Sequence, residues 1–217
     1  MLFQDFYYRQ MMYRFDQITE QDTELRIFIQ ELVKTVTEQH FSASSFNTFS
    51  VSVLLRYIKS SHHYYLYRRL PEIEQTITQL SRLYPSAHPI LYLLQHRFFA
   101  YTKHLQEHIQ EEETGLLPYI EWIDQQHLIH SQTSFPAGKN LSLHHFIEEH
   151  SDTEHDLSEL RTIIRGYHPP FSNASLYRIL LSQLANFEED LKLHAWIEDE
   201  ILLPKAIALE EKIKLLA

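Results

Sequence analysis

One pattern is written twice along this chain, and it demands helices. His108-Ile-Gln-Glu-Glu-Glu-Thr-Gly-Leu-Leu-Pro118 aligns with His194-Ala-Trp-Ile-Glu-Asp-Glu-Ile-Leu-Leu-Pro204: a histidine, a glutamate four residues on, and a closing Leu-Leu-Pro. Residues i and i+4 share one face of an α-helix, so each copy aims an imidazole and a carboxylate in the same direction. Apolar residues lead into both copies at three- and four-residue steps. Leu94, Tyr101 and His104 precede His108 and Glu112, while Leu176, Leu180, Leu184, Phe187 and Leu191 precede His194 and Glu198. Two such pairs, facing each other from different helices, can build a binuclear metal site inside a helical bundle.

The same period organises the chain from about residue 50. A first bundle helix is expected over 51–83, with Val51, Leu55, Ile58, His62, Leu66, Leu70 and Ile73 on its stripe and Pro71 as a kink. A second is expected over 89–114, broken by Gly115 and Pro118 and followed by a shorter helix over 119–130. The third, over 141–165, carries Leu143, Phe146, His150, Thr153, Leu157, Leu160 and Ile164, and Gly166 and Pro169-Pro170 end it. The fourth runs over 173–200, and a last helix follows Pro204. Residues 1–47 are aromatic-rich, with helices expected over 2–14 and 22–39 and a linker at Ser42–Asn47. The expected fold is all-α: an up-down-up-down four-helix bundle over 48–217 with an N-terminal helical extension over 1–47. The aromatic extension is expected to pack on the bundle or on a second copy, as a homodimer.

Composition narrows the function. With 217 residues and 44% hydrophobic content the chain can bury a real core, and three glycines leave little material for phosphate-cradling loops. No run of about 18 apolar residues suggests a membrane span. Asp5 and Arg9 interrupt the aromatic N-terminus, which therefore does not read as a signal peptide. The absence of cysteine removes disulfides, thiolate metal sites and thiol catalysis, and a cytoplasmic location is expected. A net charge of −10 argues against a nucleic-acid-binding face.

Fifteen histidines are too many to be ligands together, so helical phase must choose among them. Each of the four expected bundle helices places one on its apolar stripe: His62, His108, His150 and His194. Glu112 and Glu198 add carboxylates at i+4. His155 lies about 140° off the His150 stripe and is the poorer candidate. The first helix is ambiguous: Ile58 and Leu55 upstream favour His62, whereas Leu66, Leu70 and Ile73 downstream line up with His63. His104 and Glu149 are candidates for support of the ligands, His104 as a hydrogen-bonding neighbour and Glu149 as a proton relay. Glu111, Glu113, Asp199 and Glu200 are expected mostly to face solvent. Four imidazoles and two carboxylates, without sulfur, exceed one tetrahedral zinc and suit two iron ions, or manganese, joined by the carboxylates and an oxo or hydroxo bridge. A position left open on ferrous iron would take O₂, NO or peroxide.

These residues resemble the hemerythrin-like (HHE cation-binding) proteins, and within them the di-iron repair-of-iron-centres family linked to nitric oxide stress. The matching segments are Ser61–Pro71, His108–Pro118, Glu149–Leu157 and His194–Pro204. The resemblance implies a non-haem di-iron centre with bridging Glu112 and Glu198. It implies histidine ligands at His108, His150 and His194 and a fourth from the His62-His63 pair. It further implies a role in restoring iron–sulfur clusters damaged by NO or oxidants, with iron–sulfur proteins as partners, by iron supply or NO reduction. The alternative is a hemerythrin-type O₂ or NO sensor or carrier, for which His104 would serve as a fifth histidine. Members often carry an N-terminal cysteine pair, which residues 1–47 lack.

Overall fold

The computed structural model describes Met11, residues 22–84, 88–129, Leu143, Leu160 and residues 175–215. Among them every regular element is helical. In chain order these are α1 (Thr23–Glu38), a 3₁₀ turn (Ala43–Phe46), α2 (Val51–Tyr64), α3 (Leu70–Leu83), α4 (His88–Glu111), α5 (Leu117–Ile129), α6 (Ser175–Ile197) and α7 (Leu203–Leu215). The helices expected over 2–14 and 141–165 lie outside the described residues apart from Met11, Leu143 and Leu160. So does most of the aromatic cluster expected to serve a homodimer.

Prolines 71, 118 and 204 do not break the helical run. Each sits at the second position of a helix that follows a five-residue π-helical segment: Tyr65–Arg69, Glu112–Leu116 and Glu198–Leu202. A proline inside an α-helix clashes with the carbonyl four residues back and cannot bond to it. Those carbonyls belong to Tyr67, Thr114 and Glu200, each inside the widened turn, where i→i+5 bonding relieves both problems. The helix therefore continues through every proline with one extra residue in the turn before it.

The described residues group into two compact units. The first draws on the ranges Met1–Ser61, Gly115–Ile147 and Ala195–Ala217. In α1 the buried residues Leu25, Phe28, Ile29, Leu32 and Val33 follow helical spacing. Phe28 packs edge-on against Phe46, Phe49 and Tyr57, with ring centroids 5.2–5.6 Å apart. Phe46 in turn meets Trp196 at 5.5 Å, so the segment expected to be a plain linker contributes a fully buried aromatic. Such edge-to-face pairs add about 0.5–1.5 kcal/mol each beyond area burial. Ser50 caps α2, its hydroxyl accepting the Val53 N–H at 3.3 Å, while Glu24 receives the Ser50 N–H and hydroxyl. Lys205 donates to the carbonyls of Asn47 and Phe49.

The Tyr119 hydroxyl donates to the buried Glu210 carboxylate at 2.7 Å, joining α5 to α7. Burial and that carboxylate push the Tyr119 hydroxyl well above its ordinary range, so it stays protonated. Tyr119→Phe is expected to cost about 1.5–3 kcal/mol, the range for a hydrogen bond to a charged group. A urea midpoint equal to wild type would show that water replaces the hydroxyl without loss.

The second unit draws on His62–Thr114 and Glu148–His194. Its core is Tyr65, Leu70, Ile73, Ile77 and Leu80 from one stretch, Leu91, Leu94, Phe98, Tyr101, Leu105 and Ile109 from α4, and Tyr177, Leu180, Leu184 and Phe187 from α6. The α4 stripe steps 94, 98, 101, 105 and then 108 and 112; the α6 stripe steps 177, 180, 184, 187, 191 and then 194. Histidines and carboxylate thus occupy the next positions of helical stripes that are otherwise apolar. Among the described residues no helix is long and apolar enough to cross a membrane.

Candidate metal centre

Four of the sequence candidates come together in the second unit. Glu112 lies between two imidazoles, with Oε2 3.0 Å from His62 Nε2 and Oε1 2.9 Å from His108 Nε2. His194 brings its Nε2 to 3.3 Å from His62 Nε2, with ring centroids 4.9 Å apart. One donor atom each from His62, Glu112 and His194 all fall within 4.8 Å of one another. Burial is nearly complete, with relative exposures of 1% for His62, 3% for Glu112 and 7% for His194. Tyr65 closes one side: its ring meets His194 edge-on at 5.6 Å and Phe187 at 5.5 Å, and its hydroxyl donates to the Asp190 carbonyl.

The electrostatics follow from that packing. Burial works against charge on Glu112, but hydrogen bonds from His108 and His62, and their positive charge, outweigh it and hold the carboxyl far below its ordinary 4.5. Burial likewise works against protonation of His62. The carboxylates of Glu112 and Glu113 on its two nitrogens more than offset this, so its pKa is raised above 6.5.

His62 and His63 part company. His63 is exposed and lies beside the equally exposed Tyr67, with ring centroids 4.6 Å apart. His104, considered as support for the ligands, is exposed as well. His150 and Glu149 lie outside the described residues. Glu198 belongs to the first unit, where it opens the Glu198–Leu202 segment and is buried to 2%. Glu113, expected to face solvent, is half exposed yet reaches His62 Nδ1 at 3.1 Å. Sequence reasoning missed this, and also Tyr65, whose position three residues after His62 on the same stripe was the available signal.

The donor set suits a cation. Two imidazole nitrogens converge with carboxylate oxygen in a buried apolar shell, and a nitrogen pair at 3.3 Å leaves at most one of them a proton to share. A shared cation satisfies both lone pairs together. Nitrogen and carboxylate donors match the preferences of iron and manganese.

Residues 54–206 match the hemerythrin HHE cation-binding domain family. The chain belongs to that family. The described helices fit the all-α four-helix bundle expected from the periodicity, hemerythrin-like as the family match implies, and cation binding is the property the family's description carries. The chain is also similar to the iron-sulfur cluster repair protein ScdA of Staphylococcus epidermidis, 22% identical over 156 residues, covering 72% of this chain and 66% of that protein. The protein of the same name from Staphylococcus haemolyticus is 23% identical over 153 residues, covering 70% of this chain and 65% of the relative. The chain thus spans just under two thirds of the length of these curated relatives. No solved structure matches significantly.

Proposed function

We propose that this hemerythrin-family chain is a cytoplasmic non-haem di-iron protein of the nitric oxide and oxidative stress response, supporting repair of damaged iron–sulfur clusters. The observation that carries it is the placement of Glu112, whose two oxygens face two different imidazoles while a third imidazole closes on His62. A carboxylate so placed is suited to join two ions. His62, His108, His150 and His194 would hold the pair with Glu112 and Glu198; for His150 and Glu198 the support is their register on the sequence stripes. When bound, the iron pair supplies redox chemistry toward small diatomic molecules such as NO or O₂. The chain's own part is to hold deprotonated donors in place and to exclude bulk water with Tyr65, Phe187 and Tyr101. The relatives' name supports iron–sulfur proteins as partners, and iron supply or NO reduction is the proposed route.

Anaerobic reconstitution with Fe(II) tests the reading. Two iron ions per chain are expected, with near-ultraviolet absorption appearing on oxidation, and adding the loaded protein should restore activity to an NO-damaged cluster enzyme. Less than one tightly held ion per chain would end the di-iron reading. Iron uptake without restored activity would end the repair role alone.

A further inference from the structure

We propose that Glu113 is the positioning residue of His62: its carboxylate accepts the Nδ1–H hydrogen bond and thereby leaves the Nε2 lone pair to the cation. This rests on the metal-site reading above and adds a residue that neither the family description nor the ligand pattern assigns.

The geometry carries it. His62 is buried, and its two nitrogens face different carboxylates, Nδ1 toward Glu113 at 3.1 Å and Nε2 toward Glu112 at 3.0 Å. A neutral imidazole carries its proton on one nitrogen only, and an ionised carboxylate is solely an acceptor. Two acceptors compete for that proton, and their settings differ. The cluster side of the ring, with His194 Nε2 also 3.3 Å from His62 Nε2, is where the other donor atoms converge. Glu113 is 44% exposed and keeps its charge hydrated at little cost, so it holds the Nδ1–H while Nε2 stays with the cluster. A carboxylate behind a ligating imidazole fixes both its tautomer and its ring angle.

Local structure explains how neighbouring residues reach opposite edges of one ring. Glu112 and Glu113 are the first two residues of the Glu112–Leu116 π segment. Neighbouring residues on a helix leave the axis in different directions, so two long carboxylates can clasp a ring presented between them. The acidic neighbour recurs in the second copy of the pattern, where Asp199 follows Glu198.

The full chain decides the matter through two readouts. Glu113→Ala is expected to weaken Fe(II) binding about 10- to 100-fold in anaerobic chelator competition, the range for loss of such a partner. Glu113→Gln, whose amide oxygen accepts the same bond, should recover most of it. In metal-free protein at alkaline pH, ¹⁵N spectra should place the His62 proton on Nδ1 in wild type and move it toward Nε2 in Glu113→Ala, with His62→Gln assigning the resonance. A Glu113→Ala variant that binds Fe(II) like wild type, or an unchanged His62 tautomer, overturns the proposal. Wild-type protein that takes up no Fe(II) sinks the metal reading instead, and the tautomer measurement still decides whether Glu113 sets the ring.

Discussion

His62→Ala is expected to strip iron from protein reconstituted with Fe(II), and His63→Ala to leave its iron uptake unchanged. The neighbours differ in what they touch. His62 Nε2 is within 3.0–3.3 Å of Glu112 and His194, whereas the His63 ring lies beside exposed Tyr67. Buried four-ligand zinc sites bind with about 10–16 kcal/mol, so one ligand carries on the order of 3 kcal/mol. That corresponds to about 100-fold in affinity. Alanine also leaves a void beside His194. Chelator competition on the two variants reads the difference directly. Iron lost from His63→Ala but kept by His62→Ala would mean that the ring facing the cluster is the wrong one.

The His62-His63 ambiguity shows what was legible in the sequence and what was not. Upstream, Ile58 and Leu55 share a stripe with His62; downstream, a regular helix would align Leu66, Leu70 and Ile73 with His63. The π segment at Tyr65–Arg69 removes the conflict by adding one residue to the turn. The buried series runs Ile58, His62, Tyr65 and then jumps five positions to Leu70, Ile73 and Ile77, while Leu66 is only partly buried. Any fixed period of 3.6 residues drifts out of phase across such an insertion. No comparable insertion interrupts α4 before Glu112 or α6 before Glu198, so those stripes keep a constant phase up to the candidate ligands. Glu113 was illegible for another reason. Its phase is outward on its own helix, and the ring edge of His62 that it meets is contributed from elsewhere in the chain. Pro118 read as a stop because proline usually is one, and the widened turn before it is a tertiary accommodation that composition does not announce.

Glu112→Ala is expected to destabilise even the metal-free protein, by about 3–5 kcal/mol, the range for removing one partner of a buried ion pair. Its pH dependence identifies the cause. Glu112 is held far below its ordinary 4.5, despite burial, by His108 and His62, so its stabilisation is present above that value and is lost as pH falls toward the depressed one. His62 is raised above 6.5 against the opposing effect of burial, so its stabilisation is complete below 6.5 and fades as pH climbs through the raised value. The two contributions overlap fully between 4.5 and 6.5. Metal-free wild type should therefore show its largest margin over Glu112→Ala in that window, with the margin shrinking on both sides. Glu112→Gln, which keeps the volume and removes the charge, should follow the alanine variant in pH shape at a smaller overall cost. Urea unfolding across the pH range supplies the curves. Parallel profiles for wild type and Glu112→Ala would trace the loss to the cavity rather than to charge, and would remove the electrostatic basis for placing Glu112 between two imidazoles.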